Sequence, residues 1–127
     1  MTPSIPVSWG ELFDKISILE IKTERLSSSS ARENVARELE SLRAAAQGVT
    51  NENGLAPLRA ELKKINEKLW RIEDDIREKE AAKDFGDAFV ALARSVYHNN
   101  DERGRLKAKI NALLNSAIVD EKQYSRY

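Results

Sequence analysis

"LRAELKKINEKLWRIEDDI", Leu58–Ile76, places Leu58, Leu62, Ile65, Leu69, Ile72 and Ile76 at steps of four and three. That repeat matches the 3.6-residue turn of an α-helix and gathers the six side chains on one apolar face. The stretch before it, VTNENGLAP, is turn chemistry, and Pro57 is tolerated only in a first helical turn. The helix is therefore predicted over about 55–82. A tight connection, Lys83-Asp84-Phe85-Gly86, leads into a second long helix over about 84–116, with Asp84 placed to cap it. Two long helices joined so briefly must fold back as an antiparallel hairpin, about 40 Å long at 1.5 Å per residue.

The second arm of this hairpin interrupts its own pattern. Phe85, Phe89, Leu92 and Val96 recur at helical steps and Ile110 and Leu114 resume them, but between lie Asn99, Asn100, Arg103 and Lys107. Folding the hairpin at 83–86 sets Asn100 opposite Leu69, Arg103 opposite Asn66, and Tyr97 opposite Ile72 and Glu73. On a projection at 100° per residue Arg103 stays on the inner arc. A guanidinium is not neutralised in a protein, so a buried one needs a carboxylate or a bound anion. Gly104, costly inside a helix, suggests that something approaches the backbone there. Arg103, Asn100, Lys107, Tyr97, Glu73 and Arg77 are thus the expected ligand-binding residues, with Arg103 meeting an anion. A closed network of ion pairs and amides that fixes helix register and binds nothing is the other reading of the same residues. His98, the single histidine, projects away from the cluster and reads as a surface residue.

Outward from the hairpin, Ser8 with Glu11 forms a capping box, framed by Val7 and Leu12 as a hydrophobic staple, and starts a helix over about 8–26. The run SSSS (27–30) ends in a second box, Ser30 with Glu33, opening a helix over about 30–47 whose inner face is Val35, Leu39, Leu42 and Ala46. The fold class is therefore all-α: an antiparallel, coiled-coil-like helical bundle built on the long hairpin and covered by the two shorter helices, in one domain of residues 1–127. Residues 117–127 form a C-terminal tail in which Tyr124 and Tyr127 are amphipathic anchors that fold it back onto the bundle. Ile18 and Ile21 project away from the Trp9, Leu12, Ile16, Leu19 stripe, and Trp70 leaves the main stripe of its helix. These residues predict a homo-oligomer.

Composition bounds the function. With 21 basic and 21 acidic residues the chain has no net field to gather nucleic acid or an anionic membrane, and no aromatic residues interleave with its cations to stack on bases. Charge is nonetheless uneven: Arg59–Arg71 carries five basic and two acidic residues, Glu73–Glu80 five acidic and two basic. There is no cysteine, and no apolar run approaches the roughly 18 to 20 residues of a membrane span. No phosphate loop, zinc spacing or nucleophile triad is present, so no cofactor or metal is expected, and a cytoplasmic protein is.

The segments SWGELFDKISILEIKTERL, LWRIEDDIREKE and FGDAFVALARSVYHNNDERGRLKAKIN, with the tail ending EKQYSRY, resemble a family of small bacterial all-helical proteins of unknown function. The resemblance spans nearly the whole chain. It implies a stand-alone helical protein, in some cases associated with surface-polysaccharide or glycosyl-transfer genes, and brings no reaction. The family's polar signature falls on Glu20, Lys22, Glu73, Asp74, Arg77, Tyr97, Asn100, Asp101, Arg103 and Lys107. The expectation is a helical binding or interaction protein, with a polar pocket for a phosphorylated or carboxylated small molecule linked to surface-polysaccharide metabolism. The alternative is a small all-helical enzyme. LRAELKKINEKLWRI is similar to the first helix of all-helical chorismate mutases, although Asn66 stands where that helix has aspartate and Arg77 falls one residue late. A helical nucleotide pyrophosphohydrolase would need several carboxylates on facing helices, and here IEDDIREKE supplies them on one helix only.

Overall fold

The computed structural model describes the whole chain, Met1–Tyr127, as four α-helices and no strand. They are α1 (Trp9–Arg25), α2 (Ser29–Ala46), α3 (Leu55–Ala81) and α4 (Asp87–Leu113). The architecture is the expected all-α bundle on a hairpin of α3 and α4. Of the two shorter helices only α1 lies on the hairpin, against both arms, while α2 packs on α1 alone.

The helix ends follow local chemistry. Ser8 caps α1, its hydroxyl accepting from the Glu11 N–H at 3.1 Å. The second serine cap is Ser28 rather than Ser30, because Ser28 Oγ reaches the Ala31 N–H at 3.4 Å and the helix begins one residue later. Asp84 does not cap α4. Its carboxylate accepts from the Gly86 N–H and from Lys79, inside the turn itself, and Gly86 is the cap residue. Lys83 and Asn115 follow α3 and α4 in the left-handed region, at φ 56° and 51°. Each lets the next N–H reach back to a carbonyl of the last turn, Asp84 to Lys79 at 2.9 Å and Ser116 to Asn111 at 2.8 Å, which closes the helix end.

The core sits at the base of the hairpin, the end away from residues 83–86. Leu12, Phe13, Ile16 and Leu19 of α1 meet Val35, Leu39 and Ala46 of α2, Leu55 and Leu62 of α3, and Leu106 and Ile110 of α4. Full burial of each large aliphatic side chain contributes about 1.5–3 kcal/mol. Because α1 has 17 residues against 27 in each arm, it crosses only this lower part, from Asn111 at its first turn to Lys63 near its end. Past it the hairpin is two helices thick, and Phe85 is 52% and Val90 50% exposed. One expectation fails here: Ile21 is 1% exposed, so it is no second surface face. Lying between the hairpin and α2, α1 buries two sides of itself within one chain. No helix is long and apolar enough to cross a membrane.

Candidate functional site

On α1, Gly10, Asp14 and Ser17 follow one another at steps of four and three and are buried. A side chain at position 10 would put its Cβ 2.5 Å from the Lys107 carbonyl oxygen, so only glycine lets α1 and α4 approach this closely. The same contact lets the Gly10 N–H donate to Asn111 Oδ1 at 2.7 Å. One turn on, Asp14 is 1% exposed. Its carboxylate takes a two-point grip from the Arg103 guanidinium, Nε to Oδ1 at 2.9 Å and a terminal nitrogen to Oδ2, together with the Asn66 amide at 2.9 Å. Asn66 also donates to Ser17 Oγ at 2.8 Å, and the Ser17 hydroxyl donates to the Asp14 carbonyl at 2.7 Å. Beside this cluster Lys107, itself buried, donates to Glu11 at 2.6 Å.

Electrostatics agree with the geometry. Burial pushes the Asp14 carboxyl upward, but the hydrogen bonds from Arg103 and Asn66 and the charges of Arg103 and Lys107 together outweigh it and hold the group below the ordinary aspartate range. The hydrogen bond to Asp14 in turn raises Arg103, against its own partial burial. No buried side-chain nitrogen or oxygen is left without a partner. Toward α1 the polar interruption of α4 is therefore a closed network, and the acid that meets Arg103 is Asp14 of α1.

Glu73 and Arg77 are not part of that network. They share the α1-facing side of α3 with Asn66, but lie seven and eleven residues farther along, about 10 and 16 Å toward the tip. There they pair with each other in the open, Arg77 Nε to Glu73 at 2.8 Å. Periodicity sees the face but not where α1 stops. Asp14 was missed for a related reason. Its signal was the Gly10, Asp14, Ser17 series, a small and polar stripe beside an apolar one, which marks a helix packed on two sides.

The outer side of the same α4 segment is different. After α4, Ser116 Oγ accepts from the Trp9 N–H at 3.3 Å and donates to the Ile118 carbonyl at 2.6 Å, and Asp120 accepts from the Ser8 hydroxyl at 2.8 Å. The tail then runs back along α4. It ends with the Tyr127 hydroxyl donating to Asp101 and the Tyr127 ring 5.0 Å from Tyr97 and 4.7 Å from His98. That hydrogen bond holds the phenol above its ordinary pKa. His98 is exposed, as expected, and serves as a platform for the tail. Lys122 is what crosses Gly104, its Nζ 3.6 Å from where a Cβ would be.

Between tail and helix lies an open cleft of about 1180 Å³. Tyr97, Asn100, Arg103 and Lys107 line one wall, and the tail's Lys122, Tyr124 and Arg126 line the other. Four of the six expected site residues thus share one cleft. Arg103, Lys107 and Arg105 have carboxylate partners in Asp14, Glu11 and Glu102, whereas Lys122 and Arg126 have none. No three acidic or histidine side chains converge as metal ligands, and Asn66, the residue aligned with the chorismate mutase aspartate, is occupied by Asp14 and Ser17.

A model described as a family of unknown function, DUF6165, matches residues 4–127 and so takes in all the segments on which the sequence resemblance rests. No curated protein and no solved structure matches the chain.

Proposed function

The chain belongs to the DUF6165 family, and from the cleft between α4 and the tail we propose that it is a cytoplasmic helical binding protein for an anionic small molecule. The observation that carries this reading is the pair of cations that form no ion pair, Lys122 and Arg126, set across from a wall whose own cations are already paired. A phosphate or carboxylate of the ligand supplies the missing charge. Tyr97 and Tyr124 offer faces for a ring, and Asp101 and Asp120, which now accept hydrogen bonds from the hydroxyls of Tyr127 and Ser8, are acceptors for ligand hydroxyls. That chemistry suits a phosphorylated or carboxylated sugar, in keeping with the surface-polysaccharide association that the resemblance implies. Arg103 then acts as the fixed floor of the cleft rather than as the contact to the anion.

Thermal melts with inorganic phosphate and with hexose phosphates test it. The ligand raises the melting temperature of the wild type, and Lys122→Ala with Arg126→Ala, or removal of residues 117–127, abolishes the rise. A wild type indifferent to all of these anions, or an undiminished rise in the double variant, overturns the reading. The exposed apolar residues toward the hairpin tip favour a second property, assembly as a homo-oligomer.

A further inference from the structure

The tail that forms the outer wall of the cleft is an extended chain. Asp120 is tied to Ser8 at the start of α1, where Gly10 meets Asn111 of α4, and Tyr127 is tied to Asp101 beside the rings of Tyr97 and His98. From Asn111 to His98 is about 20 Å of helix at 1.5 Å per residue. The tail covers that span between Asp120 and Tyr127 only at close to the rise of a strand, roughly 3.3 Å per residue. Side chains of such a chain alternate: Asp120, Lys122, Tyr124 and Arg126 line the cleft, and Glu121 and Gln123 do not. The wall therefore presents, in order, an acid, a cation, a ring and a cation, and Asp101 closes the far end with a second acid. The rings of Tyr97 and Tyr127 pack on each other, whereas Tyr124 is 76% exposed and packs on no other ring.

We propose that the ligand of this cleft is an acidic oligosaccharide, laid along the tail with one of its sugars on Tyr124. This rests on the anion-binding reading above and names the class of ligand. Length decides against a single sugar. Drug-sized ligands fill cavities of roughly 300–1,000 Å³. A cleft of about 1180 Å³, drawn out over about 20 Å of helix, stays mostly empty around one hexose phosphate. Charge decides against a nucleic acid. Its phosphates, one on every unit, would lie against Asp101 and Asp120 at the two ends as well as against Lys122 and Arg126 between them. A sugar chain charged on only some of its units sets carboxylates on the two cations and hydroxyls on the two acids, which accept hydrogen bonds. The Tyr124 ring takes the C–H face of a pyranose, apolar like itself, while the hydroxyls at the sugar's edge stay with the polar groups on either side. Because the cleft is open, a chain enters it from the side without threading.

Isothermal titration of the full chain is the experiment, with glucose 6-phosphate, a hexasaccharide of alternating glucuronate and N-acetylglucosamine, maltohexaose as its uncharged counterpart, and hexathymidylate. The acidic hexasaccharide is expected to bind at least about tenfold tighter than glucose 6-phosphate, and tighter than maltohexaose or hexathymidylate. Tyr124→Ala is expected to weaken it about tenfold, as loss of one contact ring does, with the His98 resonances that report the neighbouring Tyr127 ring unchanged. Tyr124→Phe, which keeps the ring, and Gln123→Ala, outside the cleft, are expected to bind as the wild type does. Glucose 6-phosphate bound as tightly as the hexasaccharide overturns the chain and leaves the anion-binding reading standing, whereas no binding of any of the four overturns both. Tighter binding of hexathymidylate overturns the sugar, and equal binding of maltohexaose overturns the acid groups. An undiminished Tyr124→Ala, or one whose loss comes with shifted His98 resonances, overturns the ring contact, and an equal loss in Gln123→Ala overturns the alternating face.

Discussion

The two halves of α4 reverse the usual relation between polarity and burial. The half toward the base carries Asn99, Lys107 and Asn111, all buried, and Arg103 against a buried carboxylate. The half toward the tip carries Phe89, Val90 and Val96, all at least partly open. What separates them is the reach of α1, not the composition of α4. A polar group can be buried when a neighbouring helix brings its partner, and an apolar one stays open when no neighbour arrives.

The largest test of that contrast is Asp14→Ala, which leaves the Arg103 guanidinium against a buried site without its carboxylate. Chemical denaturation should show a loss of about 3–5 kcal/mol, the usual cost of removing one partner of a buried pair. Adding Arg103→Met should recover part of it. A double variant no better than the sum of the singles would mean that the two residues do not act as a pair.

Gly10→Ala should cost about 1–3 kcal/mol, as overpacking of a close contact does. The new Cβ meets a backbone oxygen rather than a side chain able to turn aside, so the helices must part and strain the Gly10 N–H bond to Asn111. Amide exchange at Gly10 reports whether they do.

Acid should act on the base of the hairpin through Asp14. Asp14 is held below its ordinary value in the folded chain, so the unfolded chain binds the proton more readily. The stability it contributes is complete above the unfolded aspartate value, about 3.9, and is lost as pH falls through the depressed folded one. Melting temperatures taken downward from pH 7 should decline more steeply below about pH 4 for the wild type than for Asp14→Asn. Equal slopes would remove Asp14 from the acid response.

The smallest effect belongs to the open half. In chain dilute enough to be monomeric, Val90→Ser should change stability by no more than about 0.5 kcal/mol. Leu62→Ala, the same kind of loss in the covered half, should cost about 2–5 kcal/mol. Similar losses at both positions would show that the tip is covered within a single chain.

Most of the fold was legible because it follows from local rules: the 3.6-residue repeat of α3, the Ser8 cap and the short turn at 83–86 were enough for the bundle, and the hairpin register already set Arg103 opposite Asn66. The site was legible in half. Arg103, Lys107, Asn100 and Tyr97 could be read from the broken stripe of α4, but their partners come from α1 and the tail, about 90 to 100 residues away or across an irregular loop, and helical periodicity relates residues only along one helix. Lys122 and Arg126, in a segment without a repeat, carried no such signal. Glu73 and Arg77 share the α1-facing side of α3 with Asn66 but lie past the reach of α1, and they are on a different side of the hairpin from the cleft.

The clasp of Gly10 and Asp14 on α4 also bears on the order in which the chain folds. Its two principal bonds join residues 101 and 89 positions apart, Gly10 with Asn111 and Asp14 with Arg103. The hairpin closes through neighbours in sequence and can form early, and α2 can pack on α1 as soon as both are made, but the α4-facing side of α1 has no surface to dock on until nearly all of the chain is available. During synthesis Gly10 and Asp14 of α1 are made early and meet their α4 partners last. A nascent chain stalled before residue 103 would leave the Asp14 carboxylate without its guanidinium partner, so the close seating of α1 on α4 belongs to the last stage of folding.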